Sequence, residues 1–440
     1  MSKFQTSINI RLIILAGMVI AFLIPLQMIT SLIEERSLSR DTASEEMSEK
    51  WGKNQSITGP ILQIPYNVRI PNPLAKNSKE KWDYVTDYAY FLPDELDYSA
   101  ELTTELRKRS IYETPLYLAK IKANGKFSAI SSEEFPSDTT YIYYEDAKVI
   151  FNISDVKGLG GEIKFLWNGK KKNLLPGTKS NVFFSGLHAP IHLNSDDYTF
   201  QIDFDLKGSE NLNFAPIGKV TKTNISADWK DPSFSGNILP KDRSITEQGF
   251  TAIWETNYFG RNYPQSFTSL DSTTAEIILN SGSGVNLIQP IDYYHKIQRA
   301  TKYGILLLVT SFSLFFLMEI FGGVILHPIQ YLLIGSAMIV FYILNLSLSE
   351  HIGFLSAYCL ASLAVTGLIG YYATSVLNSS KKGMITGIYY LLLYLFIYII
   401  LSSEEHALLL GSFALFIVVA CLMHFTRKID WYQFGKKNTN

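Results

Sequence analysis

Polar and apolar residues divide this chain into parts of very different character. From about residue 50 to residue 300 the sequence is polar, rich in tyrosine and interrupted by Gly, Pro, Asn and Asp. From about residue 301 it becomes a series of long apolar runs, and one further apolar run, residues 10–33, precedes the polar part. The pattern predicts a membrane protein with a large polar region inserted after its first membrane helix.

Six stretches are long and apolar enough for a helix that crosses a bilayer, which takes about 20 residues. The first, residues 10–33, exceeds the apolar core of a signal peptide, and no small-residue cleavage site follows it. We therefore predict an uncleaved signal anchor. The breaks between the other five stretches are short, which makes neighbouring helices antiparallel. These five are residues 304–324, 329–346, 352–377, 384–401 and 407–425.

Basic residues predict the orientation of these helices, because the cytoplasmic loops of membrane proteins are enriched in Lys and Arg. With a cytoplasmic N-terminus, the two short outer turns contain no Lys or Arg, only Glu350, Glu404 and Glu405. The basic residues that this orientation places inside are Lys381, Lys382, Arg427, Lys428, Lys436 and Lys437. We predict that both termini are cytoplasmic and that residues 34–299 lie on the outer side.

The polar region has the pattern of a β domain. Stretches such as "TYIYYEDAKVIFNIS" and "DYTFQIDFDLKG" alternate apolar with polar residues and are rich in Tyr, Phe, Ile and Val, which predicts short strands of a sandwich-type fold. Asn168-Gly169 predicts a tight hairpin turn. Residues 104–127 suggest one edge strand or a short helix, and 176–190 are a candidate seam between two sub-domains.

These patterns predict the following domain organisation. Residues 1–33 form a cytoplasmic tip and the first membrane helix. Residues 34–300 form the β-rich domain on the outer side, which begins with a helical stalk at 34–55. Residues 301–425 form a bundle of five membrane helices, and 426–440 form a cytoplasmic tail.

Charge and cysteine content exclude some classes of protein. The formal net charge is −1 and no long basic cluster occurs, which argues against a nucleic-acid partner. Both cysteines, Cys359 and Cys421, lie in apolar runs, so the polar region cannot contain a disulfide. The partners that we expect are the lipid bilayer and a periplasmic protein or a peptidoglycan-related partner.

No motif with a strong catalytic mechanism occurs in the sequence. It contains no G-x-S-x-G elbow, no H-E-x-x-H pair and no phosphate-binding G-x-x-x-x-G-K-[ST] loop. His188 and His192, four residues apart, share one face of a strand or helix, but Pro190 lies between them and few other ligands are near. We favour turn or edge histidines, and we predict no catalytic residue, no metal and no cofactor.

A few polar residues in or beside the membrane helices are candidate functional positions. Glu319 interrupts an apolar run, where an ionisable group is costly unless it is paired or faces a cavity, and His327 follows about two turns later. A functional role and a structural hydrogen bond remain equally open for Glu319. Two Glu-His pairs, Glu350 with His351 and Glu405 with His406, occur in "LSLSEHIGF" and "LSSEEHALL".

The two Glu-His stretches also resemble each other. "FYILNLSLSEH" and "FIYIILSSEEH" agree at about five of roughly eleven positions at a constant offset, which suggests a duplicated helical hairpin or convergence between two outer turns. A buried proton site, a metal site and two solvated turns at helix starts are the alternatives. We favour solvated turns, because Ser and Glu suit helix N-termini.

Several long stretches carry a resemblance to a known family. They include "WGKNQSITGPILQIPY", "LPDELDYSAELTTELRKRSIYETPLY", "DWKDPSFSGNILP" with "GFTAIW", "KYGILLLVTSFSLFFLMEIFGGVILHPIQYLLIGSAMIVFYILNLSLSEHIGFLSAY", "EEHALLLGSFALF" and "TRKIDWY". In order, spacing and membrane context the chain resembles the CreD family of bacterial inner-membrane proteins over nearly its whole length.

This resemblance implies a role in envelope integrity. It implies membership in an envelope-stress regulon, with links to colicin tolerance and β-lactam response, and it supplies no catalytic residue. The chain departs from the family pattern at Ser110, Lys157 and Phe267, where glycine, arginine and tryptophan are usual. These departures weaken any inference about a specific ligand of the polar region.

Two functions follow as hypotheses. The first is a non-enzymatic envelope protein whose β-rich domain binds an envelope or cell-wall partner while the helices anchor it. The second is a transport or proton-coupled device that uses the C-terminal helix repeat, and it predicts that Glu319 and the Glu-His turns converge on one polar cavity. An outer-domain hydrolase has no candidate nucleophile and base in the sequence.

Overall fold

The computed structural model describes residues 8–71, 82–194, 196–269, 271–287, 293–322, 324–403 and 406–427. Within them the chain forms two compact units. One combines the described residues of Met1–Asp41 and Ile291–Asn440, and the other holds those of Thr42–Pro290. The first unit is helical, and the second is built mostly of strands.

The long helices follow the apolar runs of the sequence. The helices are α1 (Ile8–Trp51), α2 (Ser272–Leu279), α3 (Tyr293–Lys302), α4 (Gly304–Gly322), α5 (Pro328–Ile352), α6 (Phe354–Val376), α7 (Ser380–Ser402) and α8 (Ala407–Thr426). Six helices of the described chain are long and apolar enough to cross a membrane, namely α1 and α4 to α8. The helix α1 continues through Pro25 and beyond the first apolar run as far as Trp51.

Two short helices lie in segments for which the sequence pattern predicts none. In α3 the buried residues Tyr294, Ile297, Ala300 and Thr301 recur every three or four positions, so this helix is amphipathic although its composition is polar. In α2 the side chain of Asp271 accepts a hydrogen bond from the Thr274 N–H at 3.1 Å, which caps the helix. Both are too short and too polar to stand out in a search for membrane helices.

The strands of the second unit pair into two sheets. The strands are β1 (Gln55–Pro71), β2 (Trp82–Phe91), β3 (Glu95–Arg109), β4 (Tyr112–Phe127), β5 (Thr139–Ile142), β6 (Lys148–Ile153), β7 (Leu159–Trp167), β8 (Lys170–Lys172), β9 (Leu175–Pro176), β10 (Gly186–Pro190), β11 (Tyr198–Ser209), β12 (Asn211–Phe214), β13 (Val220–Ala227), β14 (Pro232–Gly236), β15 (Asp242–Thr246), β16 (Gly249–Asn257), β17 (Ser266–Thr268) and β18 (Ser283–Leu287). The ten-stranded sheet has the order β14-β18-β12-β1-β6-β10-β9, with β2 and β5 paired to β1, and β17 paired to β2. The eight-stranded sheet has the order β15-β16-β13-β3-β4-β11-β7-β8.

Both sheets contribute their buried faces to one hydrophobic core. Ile61 and Phe151 come from the larger sheet, and Ile121 and Phe165 from the smaller one, and each is at most 2% exposed. Strands of the smaller sheet show the expected alternation, since exposed and buried residues take turns along β3. The β-rich fold that the sequence predicts is therefore present between the first and the later apolar helices.

Two local expectations for this region are wrong. Residues 104–127 lie in β3 and β4, which occupy the middle of the eight-stranded sheet, so they form neither an edge strand nor a helix. The many charged side chains of this segment suggest an edge strand or a helix. A strand in the middle of a sheet can carry them as well, because one of its faces is exposed. The candidate seam at 176–190 contains β9 and β10, which continue the larger sheet instead of dividing the region.

The predicted hairpin turn at Asn168-Gly169 is confirmed. These residues join β7 to β8 and have φ angles of 47° and 70°. Positive φ at both central positions is the geometry of a type I′ turn, which asparagine and glycine tolerate best. The Asn168 side chain also accepts a hydrogen bond from the Thr199 N–H at 2.7 Å, which ties the turn to β11.

Asp94 joins the ends of several strands of the smaller sheet. Its carboxylate accepts a hydrogen bond from the Ser128 N–H at 2.7 Å and forms an ion pair with Lys219. Burial alone would raise the pKa of Asp94, but the hydrogen bonds from Lys219 and Ser128 outweigh it and hold the pKa below its ordinary value. The carboxylate therefore stabilises the fold in its charged form.

Candidate functional site

Glu319 lies in the last turn of α4 and is buried inside the helical unit. Only 7% of the residue is exposed. Its carboxylate forms an ion pair with the guanidinium of Arg11, which lies in the first turn of α1. Because an unpaired charge in this environment costs several kcal/mol, the pair makes burial of Glu319 tolerable.

Tyr331 completes the hydrogen bonding of Glu319. Its hydroxyl donates to Oε2 of Glu319 at 3.0 Å, while Oε1 contacts Arg11. The ring of Tyr331 packs edge-on against Phe312, with ring centroids 5.7 Å apart, so the tyrosine is held by α4 itself. Both carboxylate oxygens of Glu319 therefore have a partner, and α1, α4 and α5 are joined at one site.

A cavity of about 260 Å³ opens beside this ion pair. Apolar side chains such as Ile14 and Leu326 form most of its wall, and Arg11, Glu319 and His327 supply its polar groups. Its volume is slightly below the usual range of small-molecule pockets, about 300–1,000 Å³. The arrangement can hold a small polar group next to an apolar wall.

His327 has a structural role at the start of α5. Its ring Nδ1 accepts a hydrogen bond from the Ile329 N–H at 3.3 Å, and the Gln330 side chain accepts from the His327 N–H at 2.8 Å. These reciprocal bonds form a capping box, followed by Pro328 at the first helical position. Two of the predicted candidates, Glu319 and His327, thus line one cavity.

Glu350 and His351 lie in the last turn of α5, so the expectation that they begin a helix is wrong. The sequence break predicted after residue 346 is helical, because α5 continues to Ile352 and ends at Gly353, whose φ is +79°. Glu350 is half-buried and accepts a hydrogen bond from the Tyr294 hydroxyl at 3.1 Å. His351 is exposed.

Tyr294, the partner of Glu350, lies on the buried face of α3. Only 2% of it is exposed, and the guanidinium of Arg40 lies 5.6 Å from its ring centroid. This distance is within the range of a cation–π contact. The far end of α5 is therefore held by a second set of polar contacts, separate from those of Glu319.

The second Glu-His stretch differs from the first. Glu405 lies outside the described residues, and His406 is exposed at the start of α8, where its side chain makes no capping hydrogen bond. Helix α7 ends at Ser402. Helix α5 continues to Ile352, well past Ser347, which corresponds to Ser402 when the two stretches are aligned. The sequence similarity between the two stretches therefore does not extend to their helix ends.

Glu319 and Glu350 do not converge on one cavity. They lie near opposite ends of the helical bundle, because Glu319 is bonded to Tyr331 in the first turns of α5 whereas Glu350 lies in its last turn. The proton-coupled device predicted from the sequence requires convergence of these groups, and their separation contradicts that form of the hypothesis.

The histidines of the β-rich unit are bonded to the backbone. His188 is 1% exposed, and its Nδ1 contacts the Gly177 carbonyl. The Nδ1 of His192 lies 2.8 Å from the Glu145 carbonyl oxygen. Across the described ranges, no three His, Cys, Asp or Glu side chains are grouped so that they could hold a metal ion.

Arg11, Tyr294 and Tyr331 are site residues for which the sequence patterns predict no role. Arg11 lies at the start of the first apolar run. It is a charged residue at the edge of that run, and a buried glutamate elsewhere needs a partner of opposite charge, so the pairing had a detectable signal.

The fold and these contacts define a class of protein. Six helices of the described chain can cross a membrane, their buried carboxylate is paired, and two sheets are inserted between the first and the second of these helices. This is a multi-pass membrane protein with a large β-rich insertion.

Comparison with known proteins gives the family. The family model described as "Inner membrane protein CreD" matches residues 7–432. The chain is 31% identical over 430 residues to "Inner membrane protein CreD" of Escherichia coli (strain K12), which covers 96% of this chain and 93% of that protein. The chain therefore belongs to the CreD family of inner membrane proteins, as its sequence motifs indicate.

Solved structures show only distant similarity. An M1 zinc metallopeptidase from Deinococcus radiodurans has a TM-score of 0.22 and 6% identity, over 44% of this chain and 42% of that chain. Native yeast LTA4 hydrolase has a TM-score of 0.24 and 10% identity, over 78% of this chain and 67% of that chain. Scores this low establish no shared fold.

Proposed function

We propose that this protein is a non-enzymatic envelope-integrity protein whose β-rich region lies in the periplasm and binds an envelope partner. The helices anchor it in the inner membrane, with both termini in the cytoplasm. Membership in the CreD family supports the inner-membrane location. Lys381 and Lys382 at the start of α7 and Arg427 at the end of α8 support the orientation, because short cytoplasmic segments are enriched in basic residues.

The observation that carries the binding role is an exposed aromatic face on β1, β2 and β5. Tyr141 of β5 is opposite Asn67 of β1. Farther along the hairpin, Arg69 is opposite Tyr84 and Pro71 is opposite Trp82. Cross-strand partners and residues two apart share one side of a sheet. We call this side, defined by Trp82, Tyr84 and Tyr141, the aromatic face.

The three rings of the aromatic face are well exposed, at 45% for Trp82, 66% for Tyr84 and 53% for Tyr141. Polar groups lie between them. The Asn67 amide donates to the Tyr143 hydroxyl at 2.7 Å, and the Arg69 guanidinium lies 5.2 Å from the Trp82 ring centroid. Exposed aromatic rings interspersed with hydrogen-bonding groups are typical of binding surfaces. A periplasmic protein or a peptidoglycan-related partner is the expected occupant.

Photocrosslinking in intact cells tests this function. A photoreactive amino acid replaces Tyr84, and in a matched variant it replaces Phe259, an aromatic residue of the same unit that is 91% exposed and lies outside the aromatic face. We expect a crosslinked product from position 84 and none from position 259. Equal products from both positions, or no product from 84, would contradict the proposal.

The orientation has an independent test. Cys359 and Cys421 are both removed, and a single cysteine is then placed at Gln248 or at Lys382. We expect a membrane-impermeant maleimide to label position 248 in intact cells that have a permeabilised outer membrane. Position 382 should react only after the inner membrane is opened, and the reverse pattern would refute the orientation.

A further inference from the structure

The cavity beside the ion pair of Arg11 and Glu319 lies at the ends of three membrane helices. Arg11 is in the first turn of α1, Glu319 is in the last turn of α4, and His327 directly precedes the first residue of α5. The ends of membrane helices lie near the lipid headgroups, because about 20 residues of helix match the hydrocarbon core of a bilayer. A ligand in this cavity is therefore close to the headgroups of one leaflet.

The apolar part of the cavity wall continues onto the outer surface of the helical unit. Ile14 and Leu15 of α1 line the cavity together with Ile325 and Leu326, which lie between α4 and α5. Ile14 is 37% exposed and Ile325 is 68% exposed. Exposed apolar side chains at this depth contact acyl chains, so the wall suits the part of a lipid next to its headgroup.

The polar part of the cavity contains one positive and one negative charge. These belong to the ion pair of Arg11 and Glu319, whose side chains are 23% and 6% exposed. A ligand with a single charge is attracted by one partner and repelled by the other, so the two effects oppose each other. A zwitterion can place each of its charges beside the opposite charge of the pair. The ion pair therefore favours a zwitterionic ligand over a simple anion or cation.

Arg11 and His327 provide hydrogen-bond donors that suit a phosphate group, and both residues line the cavity. A guanidinium has five N–H groups in a planar fork, so it can donate to a carboxylate and to a phosphate at the same time. The Nδ1 of His327 accepts a hydrogen bond from the Ile329 N–H at 3.3 Å, which places the ring proton on Nε2. That Nε2 can donate to a phosphate oxygen, and hydrogen bonds of this kind to a charged acceptor are strong.

Glu319 provides the acceptor for a positively charged group. Its Oε1 contacts Arg11 and its Oε2 accepts from the Tyr331 hydroxyl at 3.0 Å. An ionised carboxylate has about four lone-pair sites on its two oxygens, so Glu319 can accept a further hydrogen bond. A primary ammonium group has three N–H donors, whereas a trimethylated ammonium has none. The site therefore favours a primary amine.

We propose that this cavity binds the headgroup of a phospholipid whose phosphate is linked to a primary amine, as in phosphatidylethanolamine. The phosphate lies beside Arg11 and His327, the ammonium group beside Glu319, and the start of an acyl chain along Ile14 and Ile325. The cavity volume of about 260 Å³ is below the usual range for drug-sized ligands, about 300–1,000 Å³, so the cavity holds the headgroup while the acyl chains stay in the bilayer. The bound lipid joins α1, α4 and α5 at the membrane surface.

Native mass spectrometry of the delipidated full-length protein tests this proposal. The protein is titrated in detergent with phosphatidylethanolamine, phosphatidylcholine or phosphatidylglycerol that have identical acyl chains, and the fraction that retains one lipid is measured. We expect the wild type to bind phosphatidylethanolamine at least about tenfold more tightly than the other two, a difference of about 1.4 kcal/mol. Equal affinities for the three lipids would overturn the proposal, and this comparison needs no variant.

Two matched variants test the position of the lipid. Ile14→Trp fills the apolar part of the cavity, and Ile13→Trp is the control, because Ile13 is the neighbouring residue of α1, is 70% exposed and lies outside the cavity lining. We expect I14W to weaken binding of phosphatidylethanolamine at least about tenfold, or by about 1.4 kcal/mol, while I13W binds like the wild type. Helical circular dichroism verifies that both variants are folded. Equal binding by the two variants would place the lipid elsewhere and overturn the proposal.

The double variant R11Q/E319Q tests the role of the charges. It removes both charges together, so no single charge is left buried without its partner. We expect it to bind the three lipids with equal affinity, and an unchanged preference for phosphatidylethanolamine would refute the assigned contacts. Glycerophosphoethanolamine, which has the same charged groups and no acyl chain, should not displace the lipid at an equal concentration. Displacement would assign the cavity to a soluble phosphorylated amine and overturn the lipid as its ligand.

Discussion

The buried ion pair between Arg11 and Glu319 allows a sharp prediction about stability. Replacing Arg11 by methionine keeps much of the volume but leaves the Glu319 side chain, which is 6% exposed, without its opposite charge. Removal of one partner from a buried pair typically costs about 3–5 kcal/mol. The hydrogen bond from Tyr331 to Glu319 remains, so we expect R11M to lower the free energy of unfolding by about 3 kcal/mol, near the lower end of this range.

The reverse change should cost less. In Glu319→Gln the charge of Arg11 is left unpaired, but its side chain is 23% exposed and long enough to turn toward water or headgroups. The glutamine can still accept the hydrogen bond from Tyr331. In the double variant no charge is buried, so stability should return toward that of the wild type. The two changes are therefore strongly coupled.

A double-mutant cycle measures this coupling. Unfolding of the purified protein in mixed micelles is followed by the loss of helical circular dichroism as a denaturing detergent is added. We expect a coupling energy of about 1–3 kcal/mol, the range of residues in direct contact. The exposed pair of Lys171 and Glu162, joined at 2.8 Å, serves as the control and should show no resolvable coupling. Additive effects of R11M and E319Q would refute the inference that the pair makes burial of Glu319 tolerable.

Three further predictions concern other parts of the chain. Asp94→Asn should destabilise the β-rich unit at pH 7, because the folded pKa of Asp94 is lowered. The contribution of the Asp94 carboxylate to the free energy of unfolding is complete above its unfolded pKa of about 3.9 and disappears as the pH falls through its folded pKa. Acid unfolding curves of the variant and the wild type should therefore converge at low pH. Phe165 is 0% exposed, so Phe165→Ala should lower the free energy of unfolding, measured by chemical denaturation, by about 3–5 kcal/mol. The exposed control Phe259→Ala should lower it by less than about 0.5 kcal/mol. Equal losses in the two variants would contradict the assigned core. Tyr294→Phe removes the donor to Glu350 and should lower the thermal unfolding temperature while Phe259→Ala does not, so an unchanged midpoint would count against this contact.

The membrane helices and the character of the β-rich unit follow from local patterns, and the sequence predicts them well. Long apolar runs leave a helix as the only backbone that satisfies its own hydrogen bonds in lipid. The turn at Asn168-Gly169 is predictable for a similar reason, because the two residues that tolerate positive φ occur together there. In each case the signal lies within a short stretch of chain.

Contacts between distant parts of the chain are not predictable in this way. Arg11 and Glu319 are 308 residues apart, and although a buried glutamate calls for a partner of opposite charge, the local sequence does not specify which basic residue that partner is. The end of α5 is a second example, because Ser and Glu suit a helix start as well as a final turn. Here Tyr294 of α3 supplies a hydrogen bond that stabilises Glu350 in the last turn, and this contact depends on tertiary structure.

The central proposal is that this protein acts in envelope integrity and that the aromatic face carries that role. The most direct measurement compares detergent and β-lactam sensitivity in cells that lack the native protein and produce either the wild type, the triple variant W82A/Y84A/Y141A or the control F259A. Because all four rings are exposed, each variant should reach the membrane at wild-type levels. The account predicts that cells with the triple variant are as sensitive as cells without the protein, and that cells with F259A are as resistant as cells with the wild type. Full protection by the triple variant would contradict it.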